Sequence, residues 1–97
     1  NVKFLSISRL KVGRLAYIGH NSYVDCECES VVELGIRSTI REGAWIQCRS
    51  GLNLRGIGFK LGNRAYIGPG SVIGVGGRIV IGDGTQAGSR LTLISES

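Results

Sequence analysis

Aliphatic residues recur along this chain every six positions, a spacing that fits neither the 3.6-residue turn of an α-helix nor the simple alternation of a strand. With the aliphatic as position one, complete units begin at Val12, Ile18, Val24, Leu34, Ile40, Ile46, Leu61, Ile67, Ile73, Ile81 and Ala87, and a broken unit begins at Leu93. That choice does not fix the other columns, so they test the pattern. Position two is Gly13, Gly19, Gly35, Gly62, Gly68, Gly74, Gly82 and Gly88, eight units of eleven in a chain where 16 of 97 residues are glycine. Position five is small at Ala16, Ser22, Cys28, Ser38, Ala44, Ser50, Ala65, Ser71, Gly77 and Thr85, with Leu91 the exception.

The units come in threes, and extra residues fall only between triplets: Ser30 to Glu33, Leu52 to Lys60, and Ile79 with Val80. Each triplet therefore predicts one triangular coil with its insertions at one corner. Its three sides are short strands, each with the aliphatic pointing in and its neighbours pointing out. Small residues at position five suit the place where the wall turns inward. Glycine at position two allows either an unusual backbone angle or a close approach of neighbouring chain, and the sequence leaves both open. Coils stack at about 4.8 Å, each backbone pairing with the next. The expected fold is all-β, a parallel β-helix of about four triangular coils with essentially no α-helix. Residues 1–11 form an N-terminal lead-in and cap, and residues 12–97 form the repeat.

Composition agrees, since glycine and β-branched residues both weaken helices. A chain of 97 residues makes one domain with a small core, so its stability leans on inter-coil hydrogen bonds and on other subunits. The net charge of +5 and pI near 9.6 favour anionic partners. The Lys and Arg residues are scattered, however, and no nucleic-acid-binding signature accompanies them, so nucleic acid is not an expected partner. No apolar run approaches a membrane span and no leader pattern is present. Three cysteines form an odd set without disulfide-scaffold spacing, which suits a reducing cytoplasm.

Cys26 and Cys28 form a C-x-C, and Cys48 is equivalent to Cys26 one coil later. With a turn between them, Cys28 belongs to the small inward column and Cys26 lies outside near the corner. Nothing supplies convergence, so no metal site is expected. His20, the only histidine, reads as a solvated turn residue rather than a catalytic base. Position six holds Tyr17, Tyr23, Trp45 and Tyr66 and points outward. Tyr23 and Trp45 share a face, with Val72 and Thr92 above. Tyr23, Trp45, Val72 and Tyr66 are thus the candidate subunit interface, because Trp and Tyr dominate association surfaces. Arg37, Arg49, Arg64 and Arg90 occupy position four and read as solvated. The glycine-rich stretches Gly56–Gly62 and Gly74–Arg78 read as corner loops.

An [LIV]-G-x-x-[small]-x coil of eighteen residues resembles the hexapeptide-repeat acyltransferases, and the resemblance covers Val12 to Ser97. The phrase "LGNRAYIGPGSVIGVGGRIVIGDGTQAGSRLTLIS" is similar to a segment of the O-acetyltransferases that modify sugars and surface polysaccharides. The resemblance implies a left-handed helix, a homotrimer with active sites between subunits, acetyl-CoA as co-substrate and a carbohydrate acceptor. It places the catalytic histidine five residues after Leu93, at position 98, just beyond Ser97. No residue of the 97 is therefore expected to be the catalytic base, and these 97 residues alone are expected to be inactive. Galactoside and maltose acetyltransferases carry a sugar-orienting asparagine where this chain has Tyr66 to Gly70. Gly68 and Gly70 offer no side chain there, which leaves polysaccharide and other acyl acceptors. The alternative is a non-catalytic solenoid serving as an oligomerisation or binding module.

Overall fold

A computed structural model describes residues 1–50 and 54–95, with the backbone alone at 49, 50 and 54. The chain winds as a left-handed parallel β-helix of about four turns. Its first face carries strands Leu10–Val12, Val32–Leu34, Gly58–Leu61 and Arg78–Ile81. The second carries Tyr17–Ile18, Thr39–Ile40, Tyr66–Ile67 and Gln86–Ala87. The third has five strands, because Lys3–Leu5 lies beneath Tyr23–Asp25, followed upward by Trp45–Gln47, Val72–Val75 and Thr92–Ser95. A short 3-10 turn, Ile7–Arg9, is the only helical element among the described residues. None of it is long or apolar enough to cross a membrane.

The registers put position one above position one on every face: Val12, Leu34, Leu61 and Ile81; Ile18, Ile40, Ile67 and Ala87; Val24, Ile46, Ile73 and Leu93. In the middle coils these side chains are fully buried, and Phe59, Val32 and Val75 join them. Val12, in the lowest strand of its face, is 53% exposed. The hydrophobic period of six is thus the period of one triangle side, with burial growing toward the middle of the stack.

At Gly13, Gly19, Gly35, Gly62 and Gly68, glycine at position two answers to close approach. A Cβ on Gly35 would stand 2.6 Å from the Asn63 backbone nitrogen, and one on Gly62 would stand 2.5 Å from that of Asp83. Neither glycine has a left-handed backbone. Each sits so near because its N–H donates upward, Gly35 to the Leu61 carbonyl and Gly62 to that of Ile81, both at 2.8 Å. The left-handed residue falls two places later, at position four: Leu15, Asn21, Arg37, Gly43, Arg64, Gly70, Gly84 and Arg90 all have φ between 55° and 73°. At the corner between the first and second faces, position five also donates back to position two, as in Ser38 to Gly35, which closes a turn of the type II kind. The position-four N–H points down the stack, Arg37 to the Arg14 carbonyl and Gly43 to that of His20, both at 2.9 Å.

The insertions do not all lie at a corner. Val32 and Glu33, Gly58 to Lys60, and Ile79 with Val80 lengthen strands of the first face. The glycine-rich stretches accordingly are not purely corner loops: Gly58–Leu61 is a strand, and Val72–Val75 takes in Gly74. The pleat runs on through the inserted residues because Phe59 and Val32 alternate inward with Leu61 and Leu34. True excursions sit between the third and first faces, where Arg49–Ser50 and Leu54–Arg55 pair antiparallel. The expectations for the side chains of Arg49 and Ser50 and for Leu52, Asn53, Glu96 and Ser97 lie outside the described residues.

Position five is buried as its size requires, at Ser22, Ser38, Ala44, Ala65 and Ser71. Ser71 donates to the Gly68 carbonyl and accepts the Leu91 N–H from the coil above. The Ser38 hydroxyl, buried in the same way, has no partner among the described residues.

Gly35→Ala and Gly62→Ala should each lower stability by about 1–3 kcal/mol or more, because the clash is with backbone. Gly88→Ala, with nothing within 4 Å of the added carbon, should stay within about 0.5 kcal/mol of the parent. Urea unfolding followed by Trp45 fluorescence checks this, and equal losses at all three would contradict it. In the same assay Ser38→Ala should gain about 1 kcal/mol by removing an unsatisfied hydroxyl, whereas Ser71→Ala should lose about as much.

Candidate functional site

With the inward positions committed to packing, chemistry falls to the outward ones. On the third face the registers align Lys3, Tyr23, Trp45, Val72 and Thr92 in one outward column. Parallel neighbours at strand spacing bring the rings of Tyr23 and Trp45 together, with centroids 4.3 Å apart and planes tilted by 33°. The Trp45 indole N–H donates to Gln47 Oε1 at 3.0 Å, which fixes the ring against the sheet. Trp45 remains 46% exposed and Val72 41%. An open groove of about 710 Å³ runs beside the rings, lined by Asn1, Lys3, Asn21, Tyr23 and Trp45 among others.

Tyr66 stands on the second face, across a corner from this column. Its outward neighbours are Thr39 and, beyond it, Tyr17. The residues just past these strands tie the two tyrosines into a chain that sequence reasoning missed. Tyr17 donates to Glu42 Oε2 at 2.8 Å, Arg41 Nε meets Glu42 Oε1 at 3.0 Å, and Arg41 Nη1 donates to the Tyr66 oxygen at 3.2 Å. The hydrogen bond from Tyr17 holds the Glu42 carboxyl below its ordinary range, and the same bond raises the Tyr17 phenol. Glu42 with hydrogen bonds from both neighbours is a poor proton acceptor, so this network braces the face rather than supplying a base. The repeat places Arg41 and Glu42 at positions two and three, and no periodic column marks them as partners of position six.

The thiols occupy the corner after the third face, and here one expectation is corrected. Cys26 does not lie outside: Cys26, Cys28 and Cys48 are all fully buried free thiols. A tight turn does centre on Glu27, where the Cys28 N–H donates to the Cys26 carbonyl at 2.8 Å, but it does not turn Cys26 outward. Alternation continues from Val24 through both, so each points inward, and Cys48 follows Ile46 in the same way. Burial, reinforced by the neighbouring Cys28 thiol, pushes Cys26 up to about 11. Burial also raises Cys48 and Cys28, the latter against a hydrogen bond with Cys48 that acts to lower it. Outside them, Glu27 accepts from the Ser6 hydroxyl and pairs with Arg55 at 3.0 Å. Asp25, also buried, accepts the Glu27 N–H at 2.9 Å. Among the described residues, no three His, Cys, Asp or Glu side chains are arranged to hold a metal ion.

His20 is exposed at the corner between the second and third faces, with Nδ1 3.1 Å from the Asn1 amino group. The column it starts continues through Glu42, Pro69 and Ser89, each at position three. No protein-family description, curated protein or solved structure matches this chain.

Raised thiol values carry a prediction. A folded value near 11 for Cys26 against an ordinary 9.0 means that the unfolded chain releases its proton first as pH rises. The contribution is therefore complete below about pH 9 and is lost as pH climbs through about 11. A colorimetric disulfide reagent at pH 8 should label none of the three thiols in the native protein and all three in urea. Native labelling of Cys26 or Cys48 at the unfolded rate would overturn the assignment.

Proposed function

We propose that this chain belongs to a homotrimeric O-acyltransferase that moves an acetyl group from acetyl-CoA to a carbohydrate hydroxyl. The observation that carries the reading is the coil itself: an inward aliphatic on every side of a left-handed β-helix, joined at most corners flanking the second face by a glycine set against the next coil and a small residue. Among solenoids this combination resembles the hexapeptide-repeat acyltransferases. The fold alone fixes no substrate.

The chemistry such a trimer performs is compact. A base takes the acceptor hydroxyl proton, the oxygen attacks the thioester carbon, the C–S bond breaks, and the departing thiolate takes a proton. A correctly placed base is worth about 10²- to 10⁴-fold in such a step. The resemblance puts that base at position 98, so the assay requires a polypeptide that includes this position. His20, at an exposed corner against the Asn1 amino group, is not assigned the role.

Association would use the third face. Trp45 and Val72 are exposed apolar side chains in register, braced by Tyr23 and Gln47, and they do no work in the core. A second reading, a non-catalytic association module, draws on the same column.

Two measurements separate the readings. Sedimentation equilibrium of a polypeptide containing position 98 should give a trimer, and Trp45→Glu with Val72→Glu should shift it to monomer. Thiol release from acetyl-CoA should then depend on added polysaccharide hydroxyls. A trimer with no acceptor-dependent release supports the module, and a monomeric parent removes the assembly from both readings.

A further inference from the structure

The two corners flanking the second face both put position four in the left-handed region and differ in what fills it. After the second face, position four reads Asn21, Gly43, Gly70 and Arg90, mostly residues that take left-handed angles at little cost. Before the second face it reads Leu15, Arg37, Arg64 and Gly84. Arg37 and Arg64 hold φ of 56° and 57°, where a side chain with a Cβ is strained. The opposite corner takes the left-handed angle with Asn or Gly in three of its four places.

Both arginines are exposed, on consecutive coils about 4.8 Å apart. Arg14, also exposed, lies one coil below, its carbonyl taking the Arg37 N–H at 2.9 Å. None of the three guanidiniums has an ion pair or side-chain hydrogen bond with another described residue. The column beside them is fixed: the Ile36 N–H donates to Asn63 Oδ1 and the Asn63 N–H to Asp83 Oδ1, both at 2.8 Å. On the adjoining first face Lys11, Glu33 and Lys60 stand in register. The edge thus gathers Lys11, Arg14, Arg37, Lys60 and Arg64 against Glu33 and Asp83. At the opposite end of the second face, Arg41 and Glu42 pair with each other.

We propose that this edge binds a linear acidic polysaccharide, with the carboxylates of successive sugars meeting the guanidiniums of successive coils. Planar guanidinium forks match carboxylates two bonds at a time. The coil step is close to the length of one sugar residue along an extended chain. A single-stranded nucleic acid would call for aromatic platforms along the same track. The nearest rings, Tyr17 and Tyr66, lie on the second face and are engaged by Glu42 and Arg41. The proposal does not depend on acyl transfer, and binding alone tests it.

Titration calorimetry with polygalacturonate, with dextran and oligo(dT) as comparisons, is the measurement. Polygalacturonate should bind, more weakly as salt rises, and dextran should not. The double variant Arg37→Asn/Arg64→Asn should weaken binding by about tenfold or more while its melting temperature holds or rises, because asparagine relieves the left-handed strain. Arg78→Asn/Arg90→Asn removes the same charge elsewhere and should leave affinity within about twofold. Full affinity in Arg37→Asn/Arg64→Asn, equal binding of dextran, equal losses in both double variants, or tighter binding of oligo(dT) would overturn the proposal.

Discussion

Everything in this fold follows from how a coil meets the coil above it. At each tight corner the N–H of position two is spent upward and the N–H of position four downward, so backbone touches backbone with no layer of side chain between. At Gly13, Gly19, Gly35, Gly62 and Gly68 the coil above leaves no room for a Cβ, whereas Asp25, Arg41 and Gln47 fill the same column with side chains. The downward bond requires the left-handed angle two residues later. Between these points the second side has room for one inward aliphatic and one small residue, and the longer strands of the first and third sides add Val32, Phe59 and Val75. The six-residue period is the sequence image of that geometry.

Because the inward and axial positions are committed, the outward ones are open to vary, and the molecule has used its faces differently. One bears stacked aromatics and exposed apolar groups, another a polar chain from Tyr17 to Tyr66, and the corner before it a ridge of guanidiniums unpaired among the described residues. The buried thiols belong to the interior instead. With values raised by burial they behave as small apolar groups, and a reactive role would require the low values that exposure and nearby cations provide.

The sequence made the fold legible because side-chain alternation and coil closure impose separate columns, and Val24, Gly35 and Ser71 each sit where their column predicts. Legibility failed where two physical causes leave the same residue. Glycine serves both left-handed turns and close approach, and only the 2.6 Å separation at Gly35 decides between them. Cys26 was misplaced because the turn at Glu27, which is present, leaves both thiols on the inward side. Lys3–Leu5 has no glycine column to announce it, although it pairs with Tyr23–Asp25. The link from Tyr17 through Glu42 and Arg41 to Tyr66 joins residues about 25 apart in the chain, one coil distant in space. The column rule finds neighbours at equal positions and passes over pairs between unequal ones.

The corner between the third and first faces differs from the other two in a way that bears on how such a chain changes over time. Its connections range from the short step after Val75 to the paired segments Arg49–Ser50 and Leu54–Arg55, yet the strands on either side keep their registers. Loss or gain of one residue there is absorbed locally. The same change within a run such as Leu61 to Ile73 would turn every later side chain of that coil inside out. Lineages carrying this architecture are thus free to acquire whole appendages along one seam, while elsewhere they can lengthen only by complete circuits.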